Sequence, residues 1–207
     1  MKKRLLIEFV VLLSCLIFIL FYIASDISSV SISAEKLIRN TKIDTSTTVL
    51  ASEPKPSIIN SIPSLLSIPK INLSANVVAV GLTKQSAMGV PDNFVEVGWY
   101  DLGYKLGQKG SVVLDGHYDN FHGEPAVFYN LDNLSKGDKI FVTDQLGKTY
   151  TYVVTKNIVY PYDHMPLSQI FAANDKNRLN IITCHGVWDS NFQTYNQRTV
   201  IYSQLRV

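Results

Sequence analysis

Asp138-Lys139-Ile140-Phe141-Val142-Thr143, then Asp144-Gln145-Leu146-Gly147, then Lys148-Thr149-Tyr150-Thr151-Tyr152-Val153-Val154-Thr155 is the stretch whose reading decides the fold. Two runs of β-branched and aromatic residues flank a short segment whose Asp and Gly are turn formers, so the stretch predicts a β-hairpin. Its second strand runs on to Tyr160. Tyr150, Tyr152 and Val154 fall on one face, and Thr149, Thr151 and Thr155 on the other. That period-2 alternation belongs to a strand with one side against a core.

Working outward, the same texture begins at Ile68: short apolar runs separated by Gly, Pro, Asn and Asp. Further strands are expected over 71–73, 75–81, 95–100 and 111–115. Helix is scarce: a turn near Lys84 to Met88, a short helix near Ala126 to Leu131 and another near Leu167 to Ala173. About eight strands with so few helices make the chain mostly β and favour a closed barrel. A chain of 207 residues, 46% hydrophobic, buries one core.

Upstream of Ile68 the composition changes twice. Met1-Lys2-Lys3-Arg4 precedes an apolar run from Leu5 to Ala24 that only Glu8 interrupts. Twenty or so helical residues cover about 30 Å, the hydrocarbon thickness of a bilayer. The basic cluster predicts that this end stays inside and the remainder outside, so residues 1–24 read as an uncleaved transmembrane signal anchor. Leu12-Leu13-Ser14-Cys15 resembles a lipoprotein cleavage site, but the apolar run continues beyond it, and cleavage after Ala24 is a second alternative. Residues 25–67, with Ser/Thr clusters and Pro54, Pro56 and Pro63, read as an extracellular stalk, and 68–207 as the folded domain. The net charge is +2; setting aside the anchor leaves 16 basic and 16 acidic residues, which gives no footprint for nucleic acid. Cys15 and Cys184 lie in the anchor and the domain, too separated to form a natural disulfide pair.

Asn180-Ile181-Ile182-Thr183-Cys184 carries the chemistry. Alternation puts Ile182 and Cys184 on one face and Ile181 and Thr183 on the other. Cys184 is expected at a strand end, with a loop from His185 to Gln197 leaving the sulfur reachable. Taken alone, such a cysteine is ordinarily a small buried hydrophobe, an arginine before a strand is ordinarily solvated, and Gly-His is ordinarily a turn. A thiol that reacts near neutrality needs a histidine or a cation beside it. His117 follows one strand-like run and Arg198 opens another.

Taken together, Gly116-His117, then Ile182-Thr183-Cys184, then Arg198 leading an apolar strand near the C-terminus resemble the sortase family, the cysteine transpeptidases of Gram-positive surfaces. The resemblance spans about Ile68 to Leu205. Gly116-His117-Tyr118-Asp119, Gly123-Glu124-Pro125-Ala126-Val127-Phe128-Tyr129 and Lys136-Gly137-Asp138 look most like its class F branch. The resemblance implies a closed eight-stranded barrel and a catalytic set of Cys184 as nucleophile, His117 as acid and base, and Arg198 as oxyanion donor. It implies cleavage of a C-terminal Leu-Pro-x-Thr-Gly-like sorting motif and transfer to an amine of the cell wall or of a surface protein; some sortases respond to calcium, but no carboxylate cluster in this sequence compels such a site, and no metal or cofactor is expected. It also puts Thr183 in the substrate groove, beside Ile182 and Met165; the segment from Tyr160 to Asn177 forms a wall.

Two departures accompany it. The family's Thr-Leu-x-Thr-Cys begins here with Asn180-Ile181, and His185 adds a second imidazole next to Cys184. Asp115 and Asp119 flank His117, placed either to orient it or to cap backbone amides. Three other readings stay open at this level: a hydrolytic cysteine peptidase or amidase, a non-catalytic wall-binding module, and a metal site from His117, His122, His185 and Cys184, whose spacing fits zinc poorly.

Overall fold

The computed structural model describes residues 61–173 and 175–206; the expected anchor, and the stalk as far as residue 60, lie outside them. Among the described residues no helix is long and apolar enough to cross a membrane.

Eight strands close into one barrel: β1 (Pro63–Ile68), β2 (Leu73–Val80), β3 (Val97–Tyr100), β4 (Gly110–Asp115), β5 (Lys139–Asp144), β6 (Thr149–Pro161), β7 (Asn177–Asp189) and β8 (Thr194–Leu205). Around the barrel their order is β1-β2-β3-β4-β7-β8-β6-β5. Most neighbours are antiparallel, but β2 with β3 and β4 with β7 are parallel. The β5–β6 hairpin forms as its sequence predicts, with Gly147 at φ +83° and its N–H donating to Asp144 O at 3.0 Å. Only a residue without Cβ takes that backbone angle freely. Tyr150, Tyr152 and Val154 all point into the core.

Two apolar clusters divide the strand faces. Leu66, Val112, Leu114, Leu179, Ile181 and Ile201 belong to the cluster that fills the barrel. Val113, Ile182 and Val200, their neighbours in sequence, belong to a second, outer cluster with Ile170 and Tyr202. A single α-helical turn, α1 (Leu167–Ile170), covers this outer face, and Asn180 Nδ2 fastens it by donating to Ile170 O at 2.6 Å. The asparagine that departs from the family pattern thus holds a wall in place.

Three expectations need correction. Residues 63–67 are not stalk: β1 pairs with β2 on one edge and β5 on the other, with Leu66 and Ile68 fully buried. Residues 71–73 do not begin a strand together. Pro69–Ile71 forms a 3-10 turn, because proline suits the first helical position and Asn72 takes the left-handed cap at φ 54°. Near 126–131 the helical turn comes later, at Leu131–Asn133.

Candidate active site

In the parallel β4–β7 pair Asp115 lies opposite Ile182. Extending that register by two residues sets His117 opposite Cys184, and the bond from Thr183 Oγ1 to Gly116 O at 2.8 Å shows that the register persists beyond β4. On its other side Cys184 pairs with Arg198 of β8. Imidazole, sulfur and guanidinium therefore occupy one row across three adjacent segments. Paired and alternating residues share faces, so Cys184 and Arg198 look outward with Ile182 and Val200. All three lie on the wall of one cavity of about 530 Å³.

Each member is held separately. Behind His117, Gly116 packs so tightly that a Cβ would come within 2.6 Å of the Phe128 ring, so a larger residue would displace the histidine's support. His117 Nε2 lies 2.9 Å from Pro91 O, and the Phe94 ring sits 4.8 Å from the imidazole. A carbonyl only accepts, so Nε2 carries the hydrogen and Nδ1 is the nitrogen left to take and return a proton. Arg198 Nη1 donates to Tyr195 O and Gln197 O, both at 2.8 Å, and Nη2 donates to Thr194 Oγ1 at 2.7 Å. These bonds use three of the five guanidinium hydrogens, leaving Nε–H and one Nη2–H without an acceptor among the described residues. Tyr195 joins the two catalytic flanks: its hydroxyl donates to Asp119, two residues after His117, while its carbonyl receives Arg198.

Burial pushes the Cys184 thiol above its ordinary pKa; Arg198 pulls it back, and Asp115 and Asp119 add to the rise. At pH 7 the sulfur is thus mainly a thiol, and the thiolate grows in as pH increases. The rate of alkylation by iodoacetamide should climb with pH through a midpoint above that of a free cysteine. Arg198→Gln removes the lowering charge and should move the midpoint further up, whereas Asp119→Asn should move it down. A midpoint at or below the free-cysteine value contradicts this picture of a buried sulfur.

The other residues singled out from the sequence separate into two groups. Ile182 and Met165 line the cavity, with Tyr162, Leu167 and Phe171 completing the wall between β6 and β7. Thr183 does not line it: the residue is 2% exposed, and alternation turns it to the face opposite Cys184, where its hydroxyl supports Gly116 from behind. His185 likewise faces away from the sulfur, 6.2 Å from the Tyr118 ring. His122 is exposed in the loop after His117. The metal reading gains no support, since among the described residues no three His, Cys, Asp or Glu side chains are grouped to hold an ion. Cys184 is also not at a strand end. β7 continues to Asp189 and pairs with β8 as far as Asp189 with Thr194, through a bulge where Gly186 adopts φ +88°. The sulfur is reachable because it faces the cavity, not because the chain stops being a strand.

Three contributors went unread in the sequence: the Pro91 carbonyl, Thr194 and Tyr195. Backbone acceptors leave no sequence signal. Tyr195 lies three residues before Arg198 in a segment read as loop, and only the extended β7–β8 hairpin gives it a fixed direction.

Comparison with known proteins agrees with this architecture. A family model described as the sortase domain matches residues 66–206. Among solved structures, sortase A of Listeria monocytogenes is similar at 20% identity and a TM-score of 0.54, covering 72% of this chain and 89% of its own. A sortase D5 transpeptidase of Clostridium perfringens gives 20% and 0.52, covering 70% and 79%. Sortase A of Corynebacterium diphtheriae gives 20% and 0.53, covering 70% and 61%. A search of curated proteins found no significant match. At such identities the solved structures speak for the barrel alone. The domain match spans all of β2 to β8 and carries the family, so the chain belongs to the sortases and is a sortase-type transpeptidase.

Proposed function

We propose that this transpeptidase cleaves a C-terminal sorting motif of the Leu-Pro-x-Thr-Gly type between Thr and Gly and transfers the acyl part to an amine of the cell wall or of another surface protein. The observation that carries the reading is the shared cavity of Cys184, His117 and Arg198. Cys184 passes its proton to Nδ1 of His117, and Sγ, now a thiolate, attacks the scissile carbonyl carbon. The free N–H groups of Arg198 meet the oxygen as it takes up charge. The C–N bond then breaks, His117 gives its proton to the leaving amine, and the acyl group rests on sulfur as a thioester. An incoming amine attacks the thioester, His117 takes its proton, and the C–S bond breaks to return the thiolate. No metal or cofactor enters these steps.

The basic cluster and apolar run before Ala24 support a single-pass anchor with its N-terminus inside and the catalytic domain at the outer surface. Confinement beside membrane-held substrates raises their effective concentration. The Gly116-His117-Tyr118-Asp119 and Gly123-Glu124-Pro125 motifs favour a class F-like branch.

A hydrolase would use the same sulfur and imidazole, so the acceptor decides between them. Incubating the protein with a sorting peptide, with and without hydroxylamine or a glycine peptide, should give amine-dependent release and an amide or hydroxamate product. Release that ignores the amine and yields only free acid identifies a hydrolase. No release at all favours a non-catalytic module.

A further inference from the structure

Asp115 takes no part in the steps above, yet it belongs to the same face. It ends β4 opposite Ile182, two residues before His117, just as Ile182 lies two before Cys184. Its side chain therefore enters the cavity one row behind the reacting groups, about 7 Å along the strand direction. Apolar side chains, Ile182, Met165 and Phe171 among them, share that cavity with the polar Ser86, Tyr100 and Tyr162. Within it Asp115 Oδ1 is sealed from solvent and has no hydrogen-bond partner among the described residues. Burial lifts the carboxyl to about 8 against the pull of Arg198, so near neutrality it can donate as well as accept. An orphan of this kind destabilises a fold, and proteins retain such groups where a ligand completes them.

We propose that Asp115 is a specificity-determining residue, reading a hydrogen-bonding side chain, a hydroxyl or amide, on one of the two peptide residues nearest the scissile carbonyl on the acyl side. The inference rests on the proposed function of this cavity. An extended peptide advances about 3.4 Å per residue, so a residue one or two positions from a carbonyl at Cys184 comes level with Asp115. A peptide with an aliphatic side chain there leaves the carboxyl desolvated and unpaired, which disfavours it by about 10- to 100-fold.

The test uses the full chain and two matched pairs of sorting peptides. One pair differs by Thr against Val immediately before the scissile bond, the other by Gln against Leu one residue earlier. For the wild type, kcat/KM should favour the hydrogen-bonding member of at least one pair by about 10- to 100-fold. In Asp115→Leu, with Asp115→Ala as a second variant, that preference should shrink to about threefold or less, read as the ratio within each peptide pair so that the change in Cys184 ionisation, common to both members, cancels. Asp115→Asn, which keeps a donor and an acceptor, should restore most of the preference. Thermal melting verifies that each variant is folded and should show a higher Tm for Asp115→Leu or Asp115→Ala than for the wild type. An unchanged preference in both apolar variants, or a wild type that treats all four peptides alike, overturns the assignment. Failure of the wild type to turn over any of them overturns the proposed function instead, and this inference with it.

Discussion

Cys184→Ser should lower turnover by about 10⁴-fold or more while the barrel melts as before. The serine hydroxyl fits the volume vacated by the thiol, so packing between Ile182 and Arg198 changes little. The chemistry changes a great deal. Arg198 bears on the sulfur as a charge that favours its ionised form, against burial and two nearby carboxyl groups. A hydroxyl ionises many units higher than a thiol, and one guanidinium does not close that gap. Steady-state transfer of a fluorescent sorting peptide, with a thermal melt of the same sample, checks both halves of the expectation. Residual activity within about tenfold of wild type would mean that some other group is the nucleophile.

Arg198→Gln should lower kcat by about 10²- to 10³-fold with a smaller change in KM, the scale of losing preorganised donors at an oxyanion. Arg198→Lys should fall almost as far, because a lysine keeps the charge but not the fork. The guanidinium is fixed by Tyr195 O, Gln197 O and Thr194 Oγ1, and only a planar group with five hydrogens can satisfy those three and still present two toward substrate. The two variants separate the roles of the residue. Lysine should leave the alkylation midpoint of Cys184 near its wild-type position, while glutamine should raise it. If lysine restores turnover in full, the side chain acts through charge alone and oxyanion donation is ruled out.

Much of this site could be read from the chain because strands alternate. Tyr150, Tyr152 and Val154 disclose a core face, and the same rule puts Ile182 with Cys184 and turns Thr183 away, against the groove-lining position that the family resemblance implied for it. What alternation does not reveal is which strands become neighbours. Residues 63–67 of β1 read as stalk because Pro63 and the serines around it have low strand propensity; the strand's identity comes from pairing with β2 and β5, which lie far apart in sequence. The same holds beyond Cys184. His185-Gly186 looks like the start of a loop, and only the β8 partner, with a bulge to absorb the glycine, extends β7 to Asp189. Asp115 shows the limit most clearly. Its face follows from Val113 on the same strand, whereas its sealed and unpaired oxygen is a property of the folded cavity, whose lining comes from segments far apart in the chain.

Intact-protein mass spectrometry of the acyl-enzyme tests the central claim most directly, that three side chains remote in sequence act on one carbonyl. Mixed with a sorting peptide and quenched in acid before an amine is added, the protein should gain the mass of the acyl fragment. Peptide mapping should place that mass on Cys184, and hydroxylamine should remove it. The adduct should be absent from Cys184→Ser, and Arg198→Gln should form it more slowly. Peptide turnover without an adduct on Cys184, or an adduct on another residue, would contradict the account.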